Sequence, residues 1–428
     1  MNKIFLKSLG CKVNLYENNS IFEIFSKNGF IFDEKDPDVC VINTCSVTSI
    51  SDRKSRKFIN YYRKLFPKAV LIVVGCYVQG IDDAQYSSIN CDIIIGNSYK
   101  SKIYDLYKEF LIEKRKIIRV EKTLKKIKYD EIAFLKNFSH TRAYVKIQDG
   151  CDKYCSYCLI PYIRLRSRSR NKENIFCEIE NLLNNNFKEI VLTGIDVSSY
   201  GLDLYSNYTF SDLLEEILNK FPNLYRIRIS SIEESMIDDK FLHLLKDDRV
   251  AKHLHLSLQS GSDFVLKKMN RRYDSCSFYE KISKIYESVP DINMTTDVIV
   301  GFPGETEENF METYNFVNKC RFSKVHVFPY SDRKGTVASK LTNKVSPQVK
   351  KERVARLMNL SKILEEAYLN KFLNKDCSFL IEQFDEKNSL YKGHSSNYLE
   401  LNIKGEKGNY KINETYNFKV SFDNVKIV

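Results

Sequence analysis

Short apolar runs alternate with amphipathic helical stretches along most of this chain, and that alternation narrows its possible folds more than any other feature. "KIFLKSLGC" reads as a strand and "ENNSIFEIFSKNGF" as a helix stopped at Gly29. "DVCVINTC" reads as a buried strand, "SDRKSRKFINYYRKLF" as a helix ended before Pro67, and "AVLIVVGCY" and "CDIIIGN" as two further strands. Helices between successive strands are the pattern of a parallel sheet with crossovers. The lysine-rich "EKRKIIRVEKTLKKIKY" reads as a weakly structured linker, after which the alternation resumes. Its strand candidates are "TRAYVKIQDG", "EIVLTG", "YRIRISSI", "HLHLSLQS", "NMTTDVIVGF" and "KVHVFPYS". Six strands with helical crossovers predict a partial β/α barrel, because a closed eight-stranded barrel needs more chain than lies before the next element. That element is a long helix opening at "SPQVKKERV", with Ser346 as N-cap and Pro347 at its first position. The remaining runs, "CSFLIEQF", "NYLELNIKG" and "ETYNFKVSFDNVKIV", alternate in twos between Gly and Asn turns and predict a small β-barrel. The expected fold is therefore α/β. It has an N-terminal open parallel α/β sheet (1–120), a basic linker (121–138), a central partial, six-stranded β/α barrel (139–365) and a small C-terminal β-barrel (366–428).

The chain of 428 residues is long enough for several domains, and 43% hydrophobic residues fit packed cores. Its net charge of +12 fits a nucleic-acid partner without requiring one. The first residues lack the apolar core of a signal peptide, and the longest apolar run, "AVLIVVGCYV", is about half of what a membrane span needs. A soluble, cytoplasmic protein with no membrane partner is expected. Thiols stay reduced there, so the 12 cysteines read as metal ligands, catalytic groups and core residues rather than disulfides.

Two sets of cysteines stand out. Cys151, Cys155 and Cys158 follow a C-x3-C-x2-C spacing in the loop after the first barrel strand. Zinc is the default metal for clustered cysteines, but a structural zinc site wants four ligands and no nearby Cys or His completes this one. Cys177, the next cysteine, falls in a helical pattern and reads as core. A 4Fe-4S cluster accepts three protein ligands when its fourth iron is left to a small molecule, as reductive cleavage of S-adenosylmethionine requires. Cys11, Cys45 and Cys76 each end a predicted strand of the N-terminal sheet. Parallel strands bring such ends to one edge, where open α/β sheets build ligand sites. Taken singly each reads as a buried apolar residue; three at equivalent ends favour a second metal cluster. Cys40 starts the strand that Cys45 ends, about 15 Å away at roughly 3.3 Å per residue, and Cys91 precedes its strand, so neither joins them.

With "GCKVN", "NTCSVT", "GCY" and "GCDKYCSYCLIPYIR" in hand, the chain resembles the radical S-adenosylmethionine methylthiotransferases from Met1 to about Lys351, and its C-terminal barrel resembles their RNA-binding TRAM domain. "GCKVN", "TDVIVGFPGET" and "HVFPYSDRKGTVAS" make it most similar to the branch that acts on N6-threonylcarbamoyladenosine in tRNA. The resemblance implies two 4Fe-4S clusters and S-adenosylmethionine. The cluster on Cys151, Cys155 and Cys158 would cleave S-adenosylmethionine to a 5′-deoxyadenosyl radical. The cluster on Cys11, Cys45 and Cys76 would carry the sulfur that is methylated and inserted at C2 of the adenine at tRNA position 37, after the radical takes the C2 hydrogen. The implied partners are tRNA, an electron donor such as a flavodoxin or ferredoxin system, and a sulfur donor that the resemblance leaves unnamed. Alternative readings are another substrate, either isopentenyladenosine in tRNA or a ribosomal-protein aspartate, and, in another class, a zinc-dependent RNA-binding protein.

The resemblance also places contacts to S-adenosylmethionine at Tyr157, Thr193, Gly194, Ser230, Glu233, Gln259 and Arg271, most of them at the ends of barrel strands, where barrel sites lie. The same positions also suit helix caps and packing, and Gly301 and Gly304 read as a tight turn. The row Arg164, Arg166, Arg168 and Arg170 reads as an extended basic strip suited to RNA phosphates, or as a solvated face. Family members commonly carry Gly where this chain has Leu165, so that loop is expected to need a backbone angle that leucine reaches only with strain.

Overall fold

The structure, a computed structural model, describes residues 2–122, 128–132 and 141–427. Strands β1 (Asn2–Ser8), β2 (Phe30–Phe32), β3 (Val39–Thr44), β4 (Val70–Gly75), β5 (Ile93–Ile95) and β6 (Ile117–Arg119) form one sheet in the order β2-β1-β3-β4-β5-β6. Every pair in it is parallel. β3 is buried throughout, which is why it reads as an unbroken apolar run. Helices α1 (Lys12–Lys27), α2 (Ser49–Leu65), α3 (Cys76–Gly80) and α4 (Ile103–Glu113) connect the strands. One face packs Phe5, Ile42 and Val73 on Ile59 and Tyr62 of α2; the other packs Ile4, Val41 and Ile72 on Ile21 and Phe25 of α1 and Leu106 of α4. Cys40 and Cys91 lie in the first of these cores, away from the site. The lysine-rich stretch is not all linker. Ile117–Arg119 pairs with β5 as an edge strand, and Tyr129 donates from its hydroxyl to the Lys146 carbonyl at 3.0 Å. Residues 123–127 and 133–138 of the expected linker, and 139–140 at the start of the expected barrel, lie outside the described residues.

The central region has β7 (Arg142–Lys146), the short antiparallel pair β8 (Gln148–Asp149) and β9 (Arg168–Ser169), then β10 (Glu189–Thr193), β11 (Arg226–Ile229), β12 (His253–Gln259), β13 (Asn293–Val300) and β14 (Lys324–Pro329). Two parallel ladders, β7-β10-β11 and β12-β13-β14, are joined by bridges at Ile227/Val250 and Ile232/Leu256. The result is the six-stranded partial barrel that the alternation predicts. Its intervening helices are α5 (Ile160–Ile163), α6 (Lys172–Asn184), α7 (Phe210–Lys220), α8 (Asp239–Leu244), α9 (Asp263–Lys268), α10 (Ser275–Ser288) and α11 (Glu307–Cys320), and α12 (Pro347–Asn370) follows. Ser346 caps α12 by accepting from the Val349 amide at 3.3 Å. Alternate residues such as Val145, Leu192, Ile229, Leu256 and Val298 face the helical layer. Cys177 is not core: it is exposed on α6.

Five antiparallel strands complete the chain: β15 (Asp376–Asp385), β16 (Leu390–Ser395), β17 (Leu399–Lys404), β18 (Thr415–Lys419) and β19 (Val425–Ile427), in the order β18-β15-β16-β17-β19. They wrap a core of Phe379, Ile381, Tyr391, Leu401 and Val425; among the described residues no ladder closes β18 onto β19. This sheet seats on the N-terminal ends of the barrel strands. Arg228 donates to the Ser395 carbonyl at 3.1 Å, Asn293 to the Asn397 carbonyl at 2.7 Å, and Arg142 pairs with Glu382 at 3.0 Å. No helix among the described residues is long and apolar enough to cross a membrane.

Candidate active site and metal centres

β1, β3 and β4 are neighbours in the sheet, and Cys11, Cys45 and Cys76 leave their C-terminal ends. Asn14 laces the first two ends together, donating to the Leu9 carbonyl at 2.6 Å and the Thr44 carbonyl at 3.0 Å. Gly10 lies so close to Cys45 that a Cβ there would sit 2.6 Å from its Sγ. Cys45 and Cys76 are buried and Cys11 is exposed. Arg164 Nε donates to Cys76 Sγ at 3.3 Å.

The second set sits on the loop after β8. The Cys151 amide donates to the Leu165 carbonyl at 3.1 Å, which closes the loop on itself. Leu165 adopts φ +65° and is buried, so the strained angle expected from its place in the sequence is present. A Cβ at Gly150 would lie 2.1 Å from the Arg166 carbonyl oxygen, so no larger residue fits that closure. The thiols are served by donors: Lys153 N to Cys151 Sγ and Ile160 N to Cys158 Sγ, both 3.4 Å, and Arg271 Nη1 to Cys155 Sγ at 3.3 Å. Burial pushes the Cys158 thiol up to about 12 and the Cys151 thiol further, so each must lose a tightly held proton to ligate a metal.

All three cysteines of this set line one cavity of about 330 Å³. Tyr157, Glu233, Gln259 and Arg271 line it too. Tyr157 packs beside Met269, Phe302 and Tyr330, and Gln259 holds φ +66° at the irregular end of β12. Arg271 is bonded to Glu233 and to the Ser257 carbonyl; burial raises the Glu233 pKa, against the opposing pull of Arg271. Thr193, Gly194 and Ser230 do not line the cavity: Thr193 and Ser230 are buried in and just after their strands, Gly194 packs on Gln148, and Ile195 and Asp196 form that wall instead. Asp297, Tyr330 and Arg333 are lining residues that the sequence reading passed over, although two of them stand in the quoted "HVFPYSDRKGTVAS". Arg333 reaches across to the N-terminal sheet, donating to the Ser46 carbonyl at 3.0 Å and pairing with Asp52 at 2.7 Å. Ser46, Val47 and Thr48, which follow Cys45, form part of the same cavity wall.

The arginine row does not form an RNA strip. Arg164, Arg168 and Arg170 are buried, the first two against Asp149 and the third against Glu131 and Glu178. Only Arg166 of the four is exposed. A phosphate cannot reach the others without breaking these pairs.

Among the described residues no three His, Cys, Asp or Glu side chains converge as ligands of a single metal ion. A polynuclear cluster spreads its thiolates over different irons, and each triplet fits that requirement: three sulfurs at the head of one loop or one sheet edge.

Comparison with known proteins agrees with this geometry. Residues 145–317 match the Radical SAM superfamily and residues 3–96 the uncharacterized protein family UPF0004. The chain is 39% identical to the threonylcarbamoyladenosine tRNA methylthiotransferase MtaB of Bacillus subtilis (strain 168), over 95% of this chain and 91% of that protein. It is 34% identical to a tRNA-2-methylthio-N(6)-dimethylallyladenosine synthase of Caldicellulosiruptor saccharolyticus, over 92% and 85% of the two chains. Among solved structures, the radical S-adenosylmethionine methyltransferase TsrM from Kitasatospora setae superposes with a TM-score of 0.61 at 14% identity, over 79% of this chain and 77% of that one, a likeness of fold. On these grounds the chain belongs to the radical S-adenosylmethionine methylthiotransferase family.

Proposed function

We propose that this protein adds a methylthio group to C2 of N6-threonylcarbamoyladenosine at position 37 of tRNA. One observation carries the reading: the wall residues Ser46–Thr48, next to Cys45, face the same cavity as Cys151, Cys155 and Cys158. A substrate base in that cavity lies beside the barrel triplet and against the loop that leaves Cys45. We assign Cys151, Cys155 and Cys158 to the 4Fe-4S cluster that binds S-adenosylmethionine, and Cys11, Cys45 and Cys76 to the auxiliary 4Fe-4S cluster. When bound, these groups supply the radical and the inserted sulfur. The chain's own residues position and shield the reactants. Tyr157 offers an aromatic wall, Gln259 a polar end, and the Arg271–Glu233 pair a fixed charge beside Cys155. Arg333 ties the Cys45 loop to the barrel, which holds the two sites in register.

For the RNA, α2 replaces the buried arginines as the basic element. It starts at the cavity wall, with Thr48 as its cap, and presents Arg53, Lys54, Arg56 and Lys57 outward. Arg166 is a further contact, and the C-terminal sheet (within 366–428) serves as a TRAM-like RNA-binding module on the 139–365 barrel. The 1–120 unit carries the auxiliary site. The 39% identity to the Bacillus subtilis threonylcarbamoyladenosine enzyme, against 34% to the Caldicellulosiruptor dimethylallyladenosine enzyme, supports the nucleoside chosen. We place the enzyme in the cytoplasm, reduced by a flavodoxin- or ferredoxin-type donor. Nucleoside mass spectrometry of tRNA from cells lacking the protein tests the reading: loss of 2-methylthio-N6-threonylcarbamoyladenosine alone is expected. Loss of a methylthio-isopentenyl nucleoside instead would overturn the substrate assignment.

A further inference from the structure

Arg164 belongs to a buried network of charges in which cations outnumber carboxylates locally. Lys100, Lys146, Arg164 and Arg168 are all buried, and among the described residues the carboxylates paired with them are Glu17 and Asp149. Glu17 binds three of the cations: Arg164 at 2.9 Å, Lys146 at 2.8 Å, and Lys100. Burial pushes the Glu17 carboxyl up, but Arg164, Lys100 and Lys146 outweigh it and hold it well below the usual range. Four cations against two carboxylates leave an excess of two positive charges. Asp130, half-buried at the edge of the network, offsets one of these charges at most, and beyond Tyr129, whose ring Lys146 and Arg170 both face, the Arg170–Glu131–Glu178 group offsets another, so the excess is local to the Arg164 side.

Clustered cations in a protein interior favour an anion beside them, and the Arg164 side of the network is where one would sit. The group at that side is Cys76, whose sulfur accepts from Arg164 Nε at 3.3 Å, with Asn97 donating more distantly at 4.0 Å. The other nitrogens of Arg164 are engaged by Glu17, Asp149 and Asn14. Asn14 in turn is the residue that ties the Cys11 and Cys45 loops together. Arg164 therefore comes from the loop of the barrel triplet and delivers its donor to a sulfur of the N-terminal triplet.

The geometry points to Arg164 as a positioning residue that tunes the auxiliary cluster: with Lys100, Lys146 and Arg168 it supplies the countercharge for an anionic iron–sulfur group on Cys11, Cys45 and Cys76, and raises its reduction potential. This rests on the ligand assignment made above. Net local charge and hydrogen bonds to sulfur are two of the levers that set the potentials of such clusters, and here both favour the more negative, reduced form, against the opposing effect of burial.

The test uses the full-length chain with Cys151, Cys155 and Cys158 changed to Ala, so that only the auxiliary cluster is present, reconstituted anaerobically with iron and sulfide and titrated by electron paramagnetic resonance. About four irons per chain are expected. A parent that holds no iron overturns the ligand assignment itself. In Arg164→Gln the midpoint potential should move negative with the iron content unchanged, and Arg164→Lys should recover part of the shift. Lys100→Gln removes a charge from the network and no contact to sulfur, so a smaller negative shift is expected there, and it gives the reading if Arg164→Gln fails to load. An iron-loaded Arg164→Gln or Lys100→Gln whose potential equals the parent's would overturn the inference and leave the ligand assignment intact.

Discussion

Gly10→Ala is a sharp test of the proposed N-terminal metal site, because the structure separates its two costs. Gly10 has φ +96°, where an L side chain is strained by about 1–2 kcal/mol. A Cβ there would also lie 2.6 Å from Cys45 Sγ and 2.7 Å from Cys45 Cβ, so Cys45 must move. Overpacking of that kind costs a further ~1–3 kcal/mol. Gly29 provides the control: its φ is +84°, but a Cβ there meets nothing within 4 Å. Gly29→Ala should therefore pay for strain alone. In urea denaturation of the metal-free chain, Gly10→Ala should be less stable than Gly29→Ala by ~1–3 kcal/mol. After anaerobic reconstitution, Gly29→Ala should hold about eight irons per chain, as two clusters do, and Gly10→Ala about four. Gly10→Ala should still cleave S-adenosylmethionine to 5′-deoxyadenosine, since Cys151, Cys155 and Cys158 are untouched. Full iron loading in Gly10→Ala would refute the placement of Cys45 as a ligand whose position Gly10 protects.

Three further outcomes can be checked. Leu165→Gly removes a strained φ worth about 1–2 kcal/mol but also a buried leucine worth about 2–5 kcal/mol; the variant should be less stable in urea, and a gain in stability would show that strain dominates. Glu189 is buried among Arg228, Arg226 and Arg142, which outweigh the effect of burial and hold its carboxyl at about 2 instead of 4.5. A depressed folded pKa contributes stability above the unfolded value that is lost as pH falls through the folded one, so about 3 kcal/mol should disappear between roughly pH 4.5 and 2. Glu189→Gln should lack that component of the acid transition, and an unchanged pH slope would contradict it. Combined charge reversal at Arg53, Lys54 and Lys57 on α2 should weaken RNA binding and lower the logarithmic salt slope by about 2, with 5′-deoxyadenosine formation without RNA unaltered; an unaltered slope would place the RNA elsewhere.

Much of the architecture was legible because topology, not contact detail, decides it. A strand–helix alternation with parallel pairing places every strand's C-terminal end on one edge, so Cys11, Cys45 and Cys76 could be brought together from their positions alone. The six barrel strands were legible for the same reason. β2 and β6 were not, since each is a three-residue edge strand with a single buried residue, too short for its apolar residues to show a strand pattern. β16 hid in "LYKGHS", whose buried Gly393 and His394 carry no strand signal. Within the site, the cysteines announce themselves by spacing, whereas Asp297 and Arg333, although inside quoted motifs, line the cavity from a strand and a loop whose facing could not be read before the barrel was assembled.

The arginine row marks where sequence reasoning meets its limit. Alternating arginines on an extended stretch look alike whether they face solvent, phosphate or buried carboxylates, because the deciding partners are remote. Glu17 lies 147 residues from Arg164, while Glu131 and Glu178 stand 39 and 8 residues from Arg170. Burial of three guanidinium groups is tolerable only with those partners in place. The row thus became a joint between barrel and N-terminal sheet, with Tyr16 of α1 donating to Glu178 at 3.1 Å alongside it. Leu165 belongs to the same joint: its carbonyl must face the Cys151 amide while its neighbour Arg164 turns inward to Cys76, and the positive φ between them is the backbone angle that lets one loop serve both cysteine sets.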